Sequence, residues 1–203
     1  MVITISNQYG TGALGIARVL AEQLRYTFVD KELPVVVAKR LQSSVEAVEA
    51  AEDTSRSMSE RLLSGLEMAT PEVGAGAEGA MFDEQCFREV QVAVRDYASQ
   101  GDCILIGRGA NLILGRRGDV LRVFMHAPRD WRMHHIMKQV QVDEPSAAAE
   151  VDRMDRARAR YIKRYYDREW TDLANYDIAL DVARFGAQGC VQIIADAVRA
   201  HAK

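Results

Sequence analysis

Apolar residues recur along this chain in two rhythms, one of four-residue runs and one of helical stripes. The run 2–5 predicts a strand, and 6–12 after it is polar and glycine-bearing. Leu14, Ala17, Leu20, Ala21 and Leu24 then fall at helical spacing. A second short strand is expected at 27–30, followed by a long helical region at 33–41, 45–51 and 58–68. Gly74, Gly76 and Gly79 among small residues predict a flexible break over 71–80. An amphipathic helix at 84–98 is stopped by Gly101, and 103–106 reads as a buried strand. Helical turns at 110–114 and an apolar strand at 120–125 follow. Pro128 opens a helix to about Val140, at the position prolines favour. A basic segment at 150–168, a last strand at 177–182 and a closing helix at 188–201 complete the order. Strands alternating with helices predict an α/β fold with a mostly parallel sheet covered on both faces.

Composition narrows the class. At 203 residues and 22.6 kDa the chain suits one domain, or one with a sizeable insertion. With 48% hydrophobic and 27% charged residues it can build a core. No apolar run approaches the roughly 20 residues that cross a bilayer, and the first residues carry no basic leader, so no membrane association is expected. Cys86, Cys103 and Cys190 are widely spaced and form no CxxC pair, which suits a reducing cytoplasm and argues against structural zinc. A net charge of −3 argues against a general nucleic-acid binder.

The charge is unevenly placed. Ten acidic residues lie between Ser43 and Glu84, opposed by Arg56 and Arg61. From Arg153 to Arg168 seven basic residues face only Asp155 and Asp167, and arginine outnumbers lysine six to one. Guanidinium groups grip phosphate with two prongs, so this stretch is a candidate anion site as well as a candidate solvated helix face.

Gly10, Thr11, Gly12, Ala13, Leu14 and Gly15 stand between the first strand and the first helix. Glycines there let backbone N–H groups approach an anion, and a helix N-terminus adds about half a positive charge. Two ligand classes compete. Gly10-x-Gly12-x-x-Gly15, with Asp30 twenty residues on, matches a dinucleotide fingerprint. Four residues, Ser6, Asn7, Gln8 and Tyr9, nevertheless separate the strand from the first glycine, a length that suits a loop wrapped around a mononucleotide triphosphate. That second reading is favoured.

Thr4-Ile-Ser-Asn-Gln-Tyr-Gly-Thr-Gly12, Phe28-Val-Asp30-Lys31-Glu32, Ile106-Gly-Arg108-Gly-Ala-Asn111 and Leu121-Arg-Val-Phe-Met-His-Ala-Pro128 occur in that order. Asp155-Arg156, Tyr161, Tyr165, Trp170 and Asn175-Tyr-Asp177 continue it nearly to the end. In these blocks the chain resembles the cytidylate kinase-like family, relatives of nucleoside monophosphate kinases. The resemblance implies a single three-layer P-loop NTPase fold over 1–203, with a helical insert at 43–82 and an arginine-rich lid at 144–170. It also implies ATP with Mg2+ and a small anionic acceptor, cytidylate being the one it suggests. Laid on the pattern G-x-x-x-x-G-K-[ST], Asn7 falls at the first glycine and Gly12 at the second. Ala13 and Leu14 then occupy the positions of the phosphate-binding lysine and the magnesium-binding hydroxyl.

Replacement cations can arrive from elsewhere in space, because phosphoryl transfer is mainly positioning and charge neutralisation. Arg153, Arg156, Arg158 and Arg160 in the lid are the candidates. Arg156 and Arg160, four apart, share a helical face, and Arg158 points away from it. Arg108 follows the strand 103–106 at the sheet's C-terminal edge, where ligands bind in open α/β sheets, and resembles the family's acceptor-phosphate arginine. A structural pair with a carboxylate is its alternative. Asp30 is read as an acceptor or magnesium contact, or as a helix N-cap. Arg132 either faces the phosphates or snorkels on the surface. His134 and His135 point to different helix faces, so no metal centre is expected. Tyr161, Tyr165, Tyr166 and Trp170 stack a base or pack the lid against the body. The expected activity is transfer of the ATP γ-phosphoryl group. A catalytically silent nucleotide- or phosphate-sensing module and, more weakly, an NAD-dependent oxidoreductase remain as alternatives. The acidic insert allows a homodimer surface.

Overall fold

The computed structural model describes residues 1–30, 32–52 and 75–201, those at 52, 75–80 and 201 through their backbone alone. They divide into two compact units, one of residues 1–30 and 94 onward, the other lying within 31–93.

The first unit is built on a five-stranded sheet in the order β2-β3-β1-β4-β5. Its strands are β1 (Val2–Asn7), β2 (Thr27–Val29), β3 (Cys103–Ile106), β4 (Val120–His126) and β5 (Ile178–Asp181). Every pairing is parallel; Ile3, for example, lies between Ile104 and Leu121. Parallel strands need crossovers, which place helices on the faces and bury both sides, so the strands read as apolar runs. Helices α1 (Ala13–Leu24) and α8 (Val182–His201) cover one face, where Ile16, Leu20, Val191 and Ile194 meet Ile3, Ile5, Val123 and Met125. Phe124 is packed with Ile162, Trp170 and Tyr176 in a separate core cluster.

Further helices of this unit include α5 (Ala110–Leu114), α6 (Arg129–Val140) and α7 (Glu144–Tyr166). Helix α7 begins on Asp143, whose carboxylate caps the Ser146 N–H at 3.0 Å, with Pro145 in its first turn. Its apolar stripe buries Ala147 and Val151 beside Met133 and Ile136 of α6. The second unit holds α2 (Glu32–Leu41), α3 (Val45–Glu52) and the first part of α4 (Ala75–Ser99).

One sequence expectation is corrected over the part of it that lies within the described residues. The break expected at 71–80 is helical from Ala75, because Gly76 and Gly79 cost a helix only about 1 kcal/mol each and α4 is long enough to absorb that. The closing helix expected at 188–201 is present; non-helical Gly186 (φ 66°, ψ 170°) separates it from a short helical stretch that begins at Val182. The helical turns expected at 58–68 lie outside the described residues. Among the described residues no helix is long and apolar enough to cross a membrane.

Candidate active site

Sheet order places the glycine loop at the middle of the sheet's C-terminal edge. β1 lies between β3 and β4, so the loop that leaves it, residues 7–12, stands at the C-terminal edge of the sheet beside the ends of both neighbours. The loop is tied to that edge by its own polar residues. Gln8 N–H donates to the Met125 carbonyl (3.0 Å), and Gln8 Oε1 accepts from the Ala127 N–H (3.2 Å). Thr11 is buried, and its hydroxyl donates to the Gln8 carbonyl (2.8 Å), so it braces the loop from within. Gly10 has φ +84°, and a Cβ there would stand 2.9 Å from the Arg132 carbonyl; only glycine meets both demands.

Helix α1 starts at Gly12 (φ 72°) with no side-chain cap. The Gly15 N–H already bonds the Gly12 carbonyl (3.0 Å), so the Ala13 and Leu14 N–H groups are the ones left at the helix start without a capping oxygen, the arrangement that receives an anion. Ala13 is buried and Leu14 points outward at 39% exposure, so neither side chain serves the loop.

The charge comes from two distant helices. Arg132 of α6 is buried; its Nε donates to the Ala127 carbonyl (3.0 Å) and its Nη1 to the Tyr9 carbonyl (2.9 Å). The same Nη1 meets Asp155 Oδ2 at 2.7 Å, while Asp155 Oδ1 accepts the Tyr9 N–H at 2.8 Å. Arg158 of α7 donates to the Asn7 carbonyl at 2.5 Å and lies 5.8 Å from the centroid of the Tyr9 ring. Burial draws the Arg158 guanidinium's pKa down and Asp155 opposes that shift, while neighbouring Arg132 adds repulsion.

At the end of β3, Gly107, Arg108 and Gly109 are all left-handed, with φ of 75°, 52° and 69°. Arg108 Nη1 donates to the Asp30 carbonyl at 3.3 Å, which joins the ends of β2 and β3. A Cβ on Gly109 would stand 2.6 Å from the Tyr166 ring, whose hydroxyl donates to the Arg108 carbonyl (3.4 Å). The turn can approach α7 this closely only as glycine.

A parallel P-loop-type sheet, a glycine loop at its centre and an arginine turn on the neighbouring strand are now in place, and the comparisons agree with them. The sequence profile of the Cytidylate kinase-like family matches residues 2–184. The chain belongs to that family. Its relatives include the cytidylate kinase of Haloarcula marismortui, 26% identical over 202 residues that cover 99% of this chain and 91% of that protein. The cytidylate kinase of Methanocaldococcus jannaschii is 24% identical over 205 residues, covering 98% and 97%. Among solved structures, an uncharacterized protein from Eubacterium ventriosum superposes with a TM-score of 0.69 at 19% identity, covering 98% of each chain. Shikimate kinase from Bacteroides thetaiotaomicron does so at 0.53 and 12%, again over 98% of each. These superpositions establish the shared P-loop fold.

The arginines of α7 divide by face, and the inward face is the one that carries Arg158. Arg156 and Arg160, which share a face, are exposed. Arg153 is exposed and forms a forked pair with Glu150 at 2.8 Å. Arg158, on a different face as expected, is the one that reaches the loop. The reason is the stripe Val151, Asp155, Arg158, Ile162, whose spacing of four, three and four puts these residues on the face that packs against the body. Arg132 is likewise no snorkelling surface group, because three oxygens hold it inside. Tyr161, Tyr166 and Trp170 join the Phe124 cluster, so these aromatics pack α7 against the sheet. Asp155 was missed as a site residue; its signal was its place with Arg158 between Val151 and Ile162, which are buried on the same stripe.

Proposed function

We propose that this chain is a phosphotransferase of the nucleoside monophosphate kinase type, moving the γ-phosphoryl group of ATP to a small anionic acceptor. The observation that carries the reading is the guanidinium of Arg158 at the carbonyl of the first loop residue, Asn7, in a loop whose lysine position is Ala13. The α1 N-terminus and the Gly10 to Gly15 backbone would receive the polyphosphate, and Arg158 would supply the missing charge. Arg153, Arg156 and Arg160, exposed on the same helix, would serve the outer phosphates as the lid adjusts. Arg108 and Asp30 would hold the acceptor, for which family membership favours a nucleoside monophosphate, cytidylate first. A cytoplasmic setting accords with three buried cysteines, none of them in a disulfide among the described residues.

Mg2+ would accompany ATP and neutralise phosphate charge. Such an ion asks for only one or two protein carboxylates, its other ligands being phosphate and water. Asp30, at the sheet's C-terminal edge, fits that demand. The Thr11 hydroxyl does not, since it is buried inside the loop, where it donates to the Gln8 carbonyl and accepts from Asn7 Nδ2 (3.3 Å). The strand order argues against the dinucleotide reading: β3 lies between β1 and β2, whereas the dinucleotide fold keeps those two strands adjacent.

The test is a coupled kinase assay with each common nucleoside monophosphate, together with MgATP calorimetry. Arg158→Ala should lower kcat/KM by about 10³ if it plays the charge-stabilising role of a catalytic arginine. Arg156→Ala should cost less. ATP binding without turnover on any monophosphate would mark a binding module, and an absence of ATP binding would reject the assignment.

A further inference from the structure

Tyr9 is held by three handles at once. Its N–H bonds Asp155 Oδ1, its carbonyl accepts from Arg132 Nη1, and Arg158 lies over its ring. Arg132 Nη1 closes the circuit on Asp155 Oδ2, with side chains only 6% and 19% exposed. Arg158 follows Asp155 by one helical turn and faces the same way. Two guanidinium groups thus converge on one short segment of loop. The carboxylate of Asp155 binds one and draws the other's pKa upward, against the mutual repulsion and the burial that act on Arg158.

The geometry points to Asp155 as a positioning residue that keeps Arg158 at the glycine loop. This inference rests on the phosphotransferase reading above. Asp155 is an acceptor only and would repel phosphate, so its contribution runs through Arg158 and Tyr9. Removing its charge leaves Arg132 buried without a counter-ion and sets the two guanidiniums against each other. Arg158, the less buried of the two, then leaves the loop. A built-in comparison exists on the same helix pair: Arg129 and Asp152 bridge α6 and α7 at 2.7 Å, with side chains 45% and 37% exposed and no bond to the loop.

The test is a double-mutant cycle on the full chain with Asp155→Asn, Arg158→Ala and the double variant, and Asp152→Asn as control. MgATP and tripolyphosphate affinities are read by calorimetry, and amide exchange at Tyr9 is read without ligand. Asp155→Asn should speed Tyr9 exchange and weaken both ligands about tenfold or more, and it should cost nothing further once Arg158 is alanine. Asp152→Asn should do neither. Should the asparagine variant fail to fold, Asp155→Glu carries the cycle: it keeps the charge, so its loss should be smaller and again vanish beside Arg158→Ala. Losses that multiply, or faster Tyr9 exchange at unchanged affinity, would overturn the positioning role while leaving the functional reading intact. If the wild-type protein bound neither ligand, the functional reading would fall first and this one with it.

Discussion

Arg108 is a bulky residue in a left-handed conformation, which costs an L side chain about 1–2 kcal/mol, and it sits between two glycines that bear none of that cost. Strain of this kind persists where the side chain has work to do, here its bond to the Asp30 carbonyl at the sheet edge. The strain separates two substitutions that both delete the guanidinium. Arg108→Gly relieves it and Arg108→Ala retains it, so urea unfolding should find the glycine variant more stable by about 1 kcal/mol. Both should lose affinity for the acceptor. Equal stabilities would mean that the turn relaxes around residue 108. The glycine pattern around Arg108 was legible in the sequence, but its partner was not, because Asp30 lies 78 positions away.

Among elements, the β4–β5 edge depends on an ion pair inside the sheet. Arg122 of β4 is buried, and Asp177, just before β5, takes its backbone N–H (2.9 Å) and its guanidinium at both oxygens. The hydrogen bonds from Arg122 hold the Asp177 carboxyl below its ordinary value against the opposing effect of burial. A carboxylate depressed in the folded state contributes stability that is whole above its unfolded pKa of about 3.9 and is lost as pH falls through the lower folded value. Wild-type stability should therefore drop on acidification below about pH 4, and Asp177→Asn should flatten that drop. At neutral pH the variant should lose about 2 kcal/mol. That is less than the roughly 3–5 kcal/mol of a fully buried pair, since the aspartate is 38% exposed. Denaturant melts at several pH values check both expectations. Helix α7 carries the same lesson in its sequence. Its charges suggest a solvated face, while Val151 and Ile162 fix a buried stripe through 155 and 158, and weighing that stripe would have singled out Arg158.

For the molecule as a whole, the sheet interior sets the chemistry of its thiols. Cys103, on β3 between β1 and β2, is 1% exposed, and burial pushes its thiol from 9.0 to about 11. The N-terminal ammonium opposes this shift and Asp102 adds to it. A thiol raised in the folded state contributes stability below its unfolded pKa that is lost as pH climbs toward the folded one. Stability should accordingly decline between about pH 9 and 11, and Cys103→Ala should remove part of that slope. At pH 8 a thiol reagent should label the native protein slowly at all three buried cysteines and rapidly in denaturant. Fast native labelling would contradict the packing around β3.

Strand and helix periods, the glycine loop and the missing lysine were all legible along the chain, because each rests on neighbours a few positions apart. The parallel α/β class followed from their alternation. Strand order and the choice among four lid arginines were not, since both depend on chain segments that meet across the fold. Tyr9 and Asp155 are 146 positions apart, and Asn7 and Arg158 are 151. Helical spacing says which arginines share a face; it does not say which face turns inward. That choice was made by Val151 and Ile162, whose burial rotates α7 until Arg158, and not its more exposed neighbours, lies over the loop.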